Sequence, residues 1–100
     1  MSIMFKHLSV TELKTKPLTD FTIVDIRDPA SFASGSIEGA QLLNNQNIDQ
    51  FIASADFTKP LVVCCYHGNS SQGAADYLSE QGFAEVFSLD GGYAAWSQTN

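Results

Sequence analysis

Apolar runs bounded by Gly, Pro, Asp and Asn alternate along the chain with segments of helical period. The run 21–26 is rich in β-branched side chains and reads as a buried strand. The run 61–66 is apolar throughout, the pattern of a central parallel strand covered on both faces. A third strand is predicted over 85–89, a weaker one over 39–43 and an edge strand over 5–8. Between them, Ser9 followed by Glu12 has capping-box spacing and opens a helix over 10–16. Asp28 ahead of Pro29 places a carboxylate cap before a proline at the first helical position, starting a short helix that ends near Gly35. Segment 47–53 puts Ile48, Phe51 and Ile52 on one face. Segment 70–81 puts Ala74, Ala75 and Leu78 on one stripe and stops at Gly82. A last short helix over 93–97 follows Gly91 and Gly92. Strands alternating with helices imply a three-layer α/β/α architecture around a central, mostly parallel, five-stranded sheet. In such sheets ligands bind at the carboxyl ends of the strands.

Length bounds the organisation. The 100 residues suit a single domain over 1–100, with no repeat or linker to divide them. Five Lys and Arg against eleven Asp and Glu give a net charge of -6, which argues against nucleic acid as a partner. No apolar run approaches the roughly 20 residues that span a bilayer, so no membrane is expected. The stretch 1–7 lacks the apolar centre of a signal peptide, and a cytoplasmic location is expected. Cys64 and Cys65 are adjacent, which does not build a disulfide framework and suits a reducing compartment. The two thiols are therefore candidates for chemistry.

The strand from Leu61 runs into Cys65, Tyr66, His67, Gly68, Asn69, Ser70 and Ser71, with a helix beginning near Ser70. Successive strand residues face opposite ways, so only one cysteine faces this loop. Cys65, at the strand end, is the better placed; Cys64 reads as core. Gly68, Asn69 and Ser70 let the chain curl and aim amide N–H groups inward. Such a nest, with the helix dipole behind it, stabilises an anion and lowers a thiol pKa. A zinc site from Cys64, Cys65, His67 and His7 would need four converging ligands, whereas adjacent strand cysteines diverge; no metal or cofactor is expected.

These residues resemble a known family. The stretch 24–32, with Val24, Asp25, Arg27 and Asp28, followed by 35–40, is similar to the first signature of rhodanese domains. The stretch 89–96, with Gly91, Gly92 and Trp96, is similar to their C-terminal signature, and 65–71 falls where their active-site loop lies. The likeness is greatest to single-domain thiosulfate sulfurtransferases. It implies a ping-pong reaction in which Cys65 takes the outer sulfur of thiosulfate as a persulfide. The sulfur then passes to a thiol or cyanide acceptor, with a dithiol protein such as thioredoxin a cellular candidate. The resemblance makes Cys65 catalytic and Tyr66, His67, Gly68, Asn69, Ser70 and Ser71 substrate-binding. The alternative is a sulfur-relay module exchanging persulfide sulfur between partner proteins.

The loop departs from the family in one position that matters. Many rhodanese loops carry an arginine five positions after the cysteine, where Ser70 stands here, and Arg27 is the chain's sole arginine. Substrate affinity should then rest on backbone amides and be weak, the more so because the negative net charge repels an anion. The missing guanidinium fork also argues against a cysteine phosphatase. Ser36 stands where the first signature often has histidine, a position read as structural. Arg27 is expected to pair with Glu38, Asp28 or Asp25 rather than to serve the substrate. His67 is expected to contribute its N–H and packing, and Asn69 to orient the loop through its side chain. Trp96, Tyr93 and Phe87 read as the apolar clamp of the last helix. Gly91 and Gly92 are read as a tight turn near the loop, and Asp49, Asp56, Asp76 and Glu80 as a solvated face.

Overall fold

The computed structural model of the chain describes residues 5–98. Residues 1–4, part of the stretch read for a signal peptide, lie outside them. Strands β1 (Lys6–Leu8), β2 (Thr22–Asp25), β3 (Gln41–Leu42), β4 (Leu61–Cys64) and β5 (Val86–Leu89) form one sheet in the order β1-β5-β4-β2-β3. Every neighbouring pair is parallel, so the expected mostly parallel sheet is wholly parallel. Among the described residues five α-helices accompany it, α1 (Val10–Leu13), α2 (Pro29–Ser34), α3 (Ile48–Ser54), α4 (Ser70–Ser79) and α5 (Gly92–Gln98), with a short 3-10 helix at Leu18–Asp20. None is long and apolar enough to cross a membrane, among the described residues.

Strand β4 is central and buried along its length. Its alternation feeds two cores, one on each face of the sheet. Leu61 and Val63 pack with Phe51 of α3 and with Ala75 and Leu78 of α4. Val62 and Cys64 pack with Val10 and Leu13 of α1, with Tyr93 and Trp96 of α5 against them. The aromatic residues of the last helix are thus a clamp, as the sequence suggests.

Several boundaries fall short of the sequence pattern, each for a local reason. Helix α1 stops before Lys14, and tighter i→i−3 bonds at Thr15 and Lys16 lead into Pro17. Helix α4 ends at Ser79, not at 81, because Glu80 and Gln81 bond back to Tyr77 and Leu78 in the same tight manner. Gly82 then turns the chain at φ +114°. Strand β4 ends at Cys64, not at Tyr66. Its last ladder partner is Asp25, and the next carbonyl, that of Cys65, is taken out of the sheet by the amide of Tyr93 at 2.8 Å.

Two devices at the carboxyl edge hold the loops in place. Arg27 donates to Asp25 through Nε (3.0 Å) and Nη2 (2.8 Å), and through Nη2 to the Gly35 carbonyl (2.7 Å). Its guanidinium carbon lies 4.2 Å from the Tyr93 ring centre. Asp25 is therefore the partner chosen from the three candidates, and Arg27 ties β2 to the end of α2 and to α5. The second device is the turn at Gly91 and Gly92. Gly92 has φ +59°, and a Cβ there would sit 2.4 Å from the Cys65 carbonyl oxygen and 2.8 Å from the His67 nitrogen. Gly92→Ala is accordingly expected to destabilise the protein by roughly 1–3 kcal/mol from backbone strain alone, read by chemical denaturation. An unchanged midpoint would contradict this contact.

Candidate active site

The loop between β4 and α4 closes around one sulfur. Cys65 is the first residue beyond the strand, and Asn69 stands at the N-cap of α4 without a side-chain capping bond. Helix α4 instead finds its cap in the cysteine: the Ser71 amide donates to Cys65 Sγ at 3.2 Å, and the Gly68 amide donates at 3.1 Å. The Ser71 hydroxyl and the His67 amide also favour the ionised form of the same sulfur.

The inward direction of these amides follows from where the carbonyls are held. The N–H and C=O of a trans peptide point in opposite directions. The amide of Ala94, in the first turn of α5, donates to the Tyr66 carbonyl at 3.0 Å, while Tyr93 takes that of Cys65. A helix start has N–H groups without intrahelical partners, and here the loop satisfies them. With the Tyr66 carbonyl drawn towards α5, the His67 N–H of the same peptide faces the sulfur. Gly68, at φ +91°, makes the turn; a Cβ there would meet the Gly91 nitrogen at 2.7 Å. Gln72 braces the loop from α4 by donating to the Gly68 carbonyl at 2.9 Å.

The electrostatic outcome differs between the two adjacent cysteines. Cys64 is fully buried in the α1–α5 core, and burial first, then the Asp25 carboxylate, pushes its thiol up to about 12. Cys65 is only 2% exposed. Burial pushes its thiol up too, but the Ser71 hydroxyl and the amides of Ser71, Gly68 and His67 outweigh this, leaving the pKa below the ordinary thiol value. The deciding factor is donors, not exposure.

The remaining loop residues have distinct surroundings. Tyr66, His67, Asn69 and Ser70 are exposed, whereas Gly68 and Ser71 are buried. The Tyr66 hydroxyl hydrogen-bonds the Asp28 carboxylate, straddling the loop to the cap of α2. That bond, with those from the Ser31 hydroxyl and amide, holds the Asp28 carboxyl well below the usual carboxylate range. The expected orienting role of the Asn69 side chain finds no capping bond; its carbonyl accepts from Gln72 instead. Sequence reading missed Ser88 of β5, whose Oγ lies 2.7 Å from that of Ser71. The available signal was a serine in an otherwise apolar strand. A groove of 490 Å³, lined by Ile26, Asn44, Ile48 and Tyr77 among others, opens between α3 and α4 and includes none of the loop residues. The sulfur is thus recessed beneath its own loop, outside that groove.

Known proteins match this arrangement along nearly the whole chain. The Rhodanese-like domain family model matches residues 9–99. The chain is 57% identical over 97 residues to the thiosulfate sulfurtransferase GlpE of Shewanella oneidensis, covering 96% of each chain. It is 60% identical over 95 residues to the protein of the same name from Stutzerimonas stutzeri, covering 95% of this chain and 87% of that one. Among solved structures, a rhodanese-like domain protein from Staphylococcus aureus superposes with a TM-score of 0.78 at 28% identity, over 92% of this chain and 91% of that one. The parallel sheet, the loop at its carboxyl edge and these matches together make the chain a member of the rhodanese-like domain family.

Proposed function

We propose that this chain is a single-domain thiosulfate sulfurtransferase that carries sulfur as a persulfide on Cys65. The observation that carries this reading is the convergence of the Gly68 and Ser71 amides on Cys65 Sγ, at 3.1 and 3.2 Å, in a loop without lysine or arginine. A thiolate so held attacks the outer sulfur of thiosulfate. The new S–S bond forms on Cys65, the S–S bond of thiosulfate breaks, and sulfite leaves with the bonding electron pair. The product is a Cys65 persulfide anion, and charge and sulfur balance without a proton being moved.

The same donors suit each anionic state of the cycle, because amides that receive the thiolate also receive the persulfide. Attack by cyanide on the terminal sulfur yields thiocyanate and restores the thiolate. A dithiol acceptor, such as that of thioredoxin, takes the sulfur, closes to a disulfide and releases hydrogen sulfide. The recessed sulfur favours a donor that presents one narrow sulfur end-on. Two free thiols on the chain suit a reducing, cytoplasmic setting.

Intact mass spectrometry after thiosulfate treatment tests the assignment. Wild type and Cys64→Ser are expected to gain one sulfur and Cys65→Ser none; sulfur retained by Cys65→Ser would overturn it. Affinity has its own test. Arg27 is committed to Asp25 and Gly35, and the chain carries a net charge of -6, so nothing steers the dianion inward. The KM for thiosulfate is expected at or above the usual range of about 1 μM–1 mM and should fall as salt screens the repulsion. A KM far below that range, rising with salt, would contradict an amide-only site.

A further inference from the structure

The Gly68 and Ser71 amides both donate to the Cys65 sulfur, yet they are held in different ways. That of Ser71 belongs to α4, whose helical geometry fixes it. That of Gly68 belongs to the loop. Position 68 has no room for a side chain: at φ +91° a Cβ would sit 2.7 Å from the Gly91 nitrogen and 3.2 Å from the Leu89 carbonyl oxygen. Glycine is therefore required there, and glycine has the freest backbone of any residue. Its direction must be fixed through the two peptides that meet at its Cα. The amide side is tied to Cys65 Sγ at 3.1 Å, and the carbonyl side to Gln72 Nε2 at 2.9 Å. Gln72 is the third residue of α4, where the glutamine of a capping box accepts from the amide of the N-cap residue. Here the side chain faces the other way and donates to the residue before the cap. That use requires a side-chain amide, because an ionised carboxylate of the same shape has no proton to give.

We propose that Gln72 is a positioning residue for sulfur transfer, gripping the Gly68 carbonyl so that the Gly68 amide stays directed at Cys65 Sγ. This rests on Cys65 being the sulfur carrier. The backbone amide of Gln72 donates to the Asn69 carbonyl at 3.2 Å, so its side chain starts from the first turn of a helix and reaches back to the loop. With both of its peptides tied, Gly68 offers its N–H without reorienting when charge forms on the sulfur. Released from Gln72, the glycine would sample other directions, and the thiolate would lose a donor for part of the time.

The test uses Gln72→Met, which keeps the length and helix preference of the side chain and removes its donor, and Gln72→Glu, which keeps the shape. The first readout is the pH dependence of Cys65 alkylation by iodoacetamide, resolved by peptide mass so that Cys64 is counted separately. Gln72→Met is expected to raise the midpoint by about half a pH unit. Gln72→Glu should raise it further, and added salt should remove only the excess, since salt screens a charge and not a lost hydrogen bond. The second readout is amide hydrogen exchange followed by NMR. In Gln72→Met the Gly68 amide should exchange several-fold faster while the Ser71 amide keeps its protection. A purely structural brace for α4 would lower thermal stability, expose both amides together and leave the midpoint in place. An unchanged midpoint in folded Gln72→Met, or equal loss of protection at Gly68 and Ser71, would overturn the proposal. Gln72→Glu decides the matter by the same criteria should Gln72→Met not fold. Alkylation reads the thiolate whether or not thiosulfate loads it. Failure of persulfide formation in the wild type would therefore sink the sulfurtransferase reading separately.

Discussion

Peptide dipoles converging on one recessed sulfur are the constraint from which the rest of this structure follows. Removing a thiolate from water is costly, and Cys65 is almost wholly buried. Each hydrogen bond to a charged group contributes about 1.5–3 kcal/mol, so several donors are needed to reverse that cost. The loop supplies them only because its carbonyls are engaged elsewhere, on the first amides of α5. Helix α5 sits there because Gly92 permits contact with the loop backbone and because Tyr93 packs under Arg27. The two ends of the sequence signature, around residues 25 and 92, thus meet at the loop between them.

Cys64 and Cys65 make the dependence on surroundings plain. They are chemically identical and adjacent, yet burial raises one thiol to about 12 while donors draw the other below its ordinary value. The single arginine does not account for the difference at Cys65, being bound to Asp25 and to the Gly35 carbonyl. An anion site made of backbone lacks the long reach of a cation. It accepts an anion that arrives but does little to attract one. What it offers in exchange is constancy, since the amides are fixed in advance and, in the function proposed, receive thiolate and persulfide alike.

Much of this was legible in the chain. Parallel architecture could be read from the unbroken apolar run of β4 and from helical segments between strands. The caps at Ser9 and Asp28 were readable because capping is local: a side chain bonds an amide three residues on. Period and alternation also separated the two cysteines. Less was legible where tertiary contacts override local pattern. Strand β4 ends two residues early because α5, remote in sequence, takes the carbonyl of Cys65. Asn69 has the composition of a helix cap, but the sulfur of Cys65 takes the amide that its side chain would have bound. Ser88 stayed hidden because its significance lies in a partner on another element, which no spacing within β5 discloses.

The most direct test is a pH titration of the ultraviolet thiolate absorbance, comparing the wild type with Cys65→Ser at low and high salt. A step present only in the wild type, centred below the ordinary thiol value and little moved by salt, is the result expected of buried amide donors. A midpoint at or above the ordinary thiol value, or a step that persists in Cys65→Ser, would contradict the account.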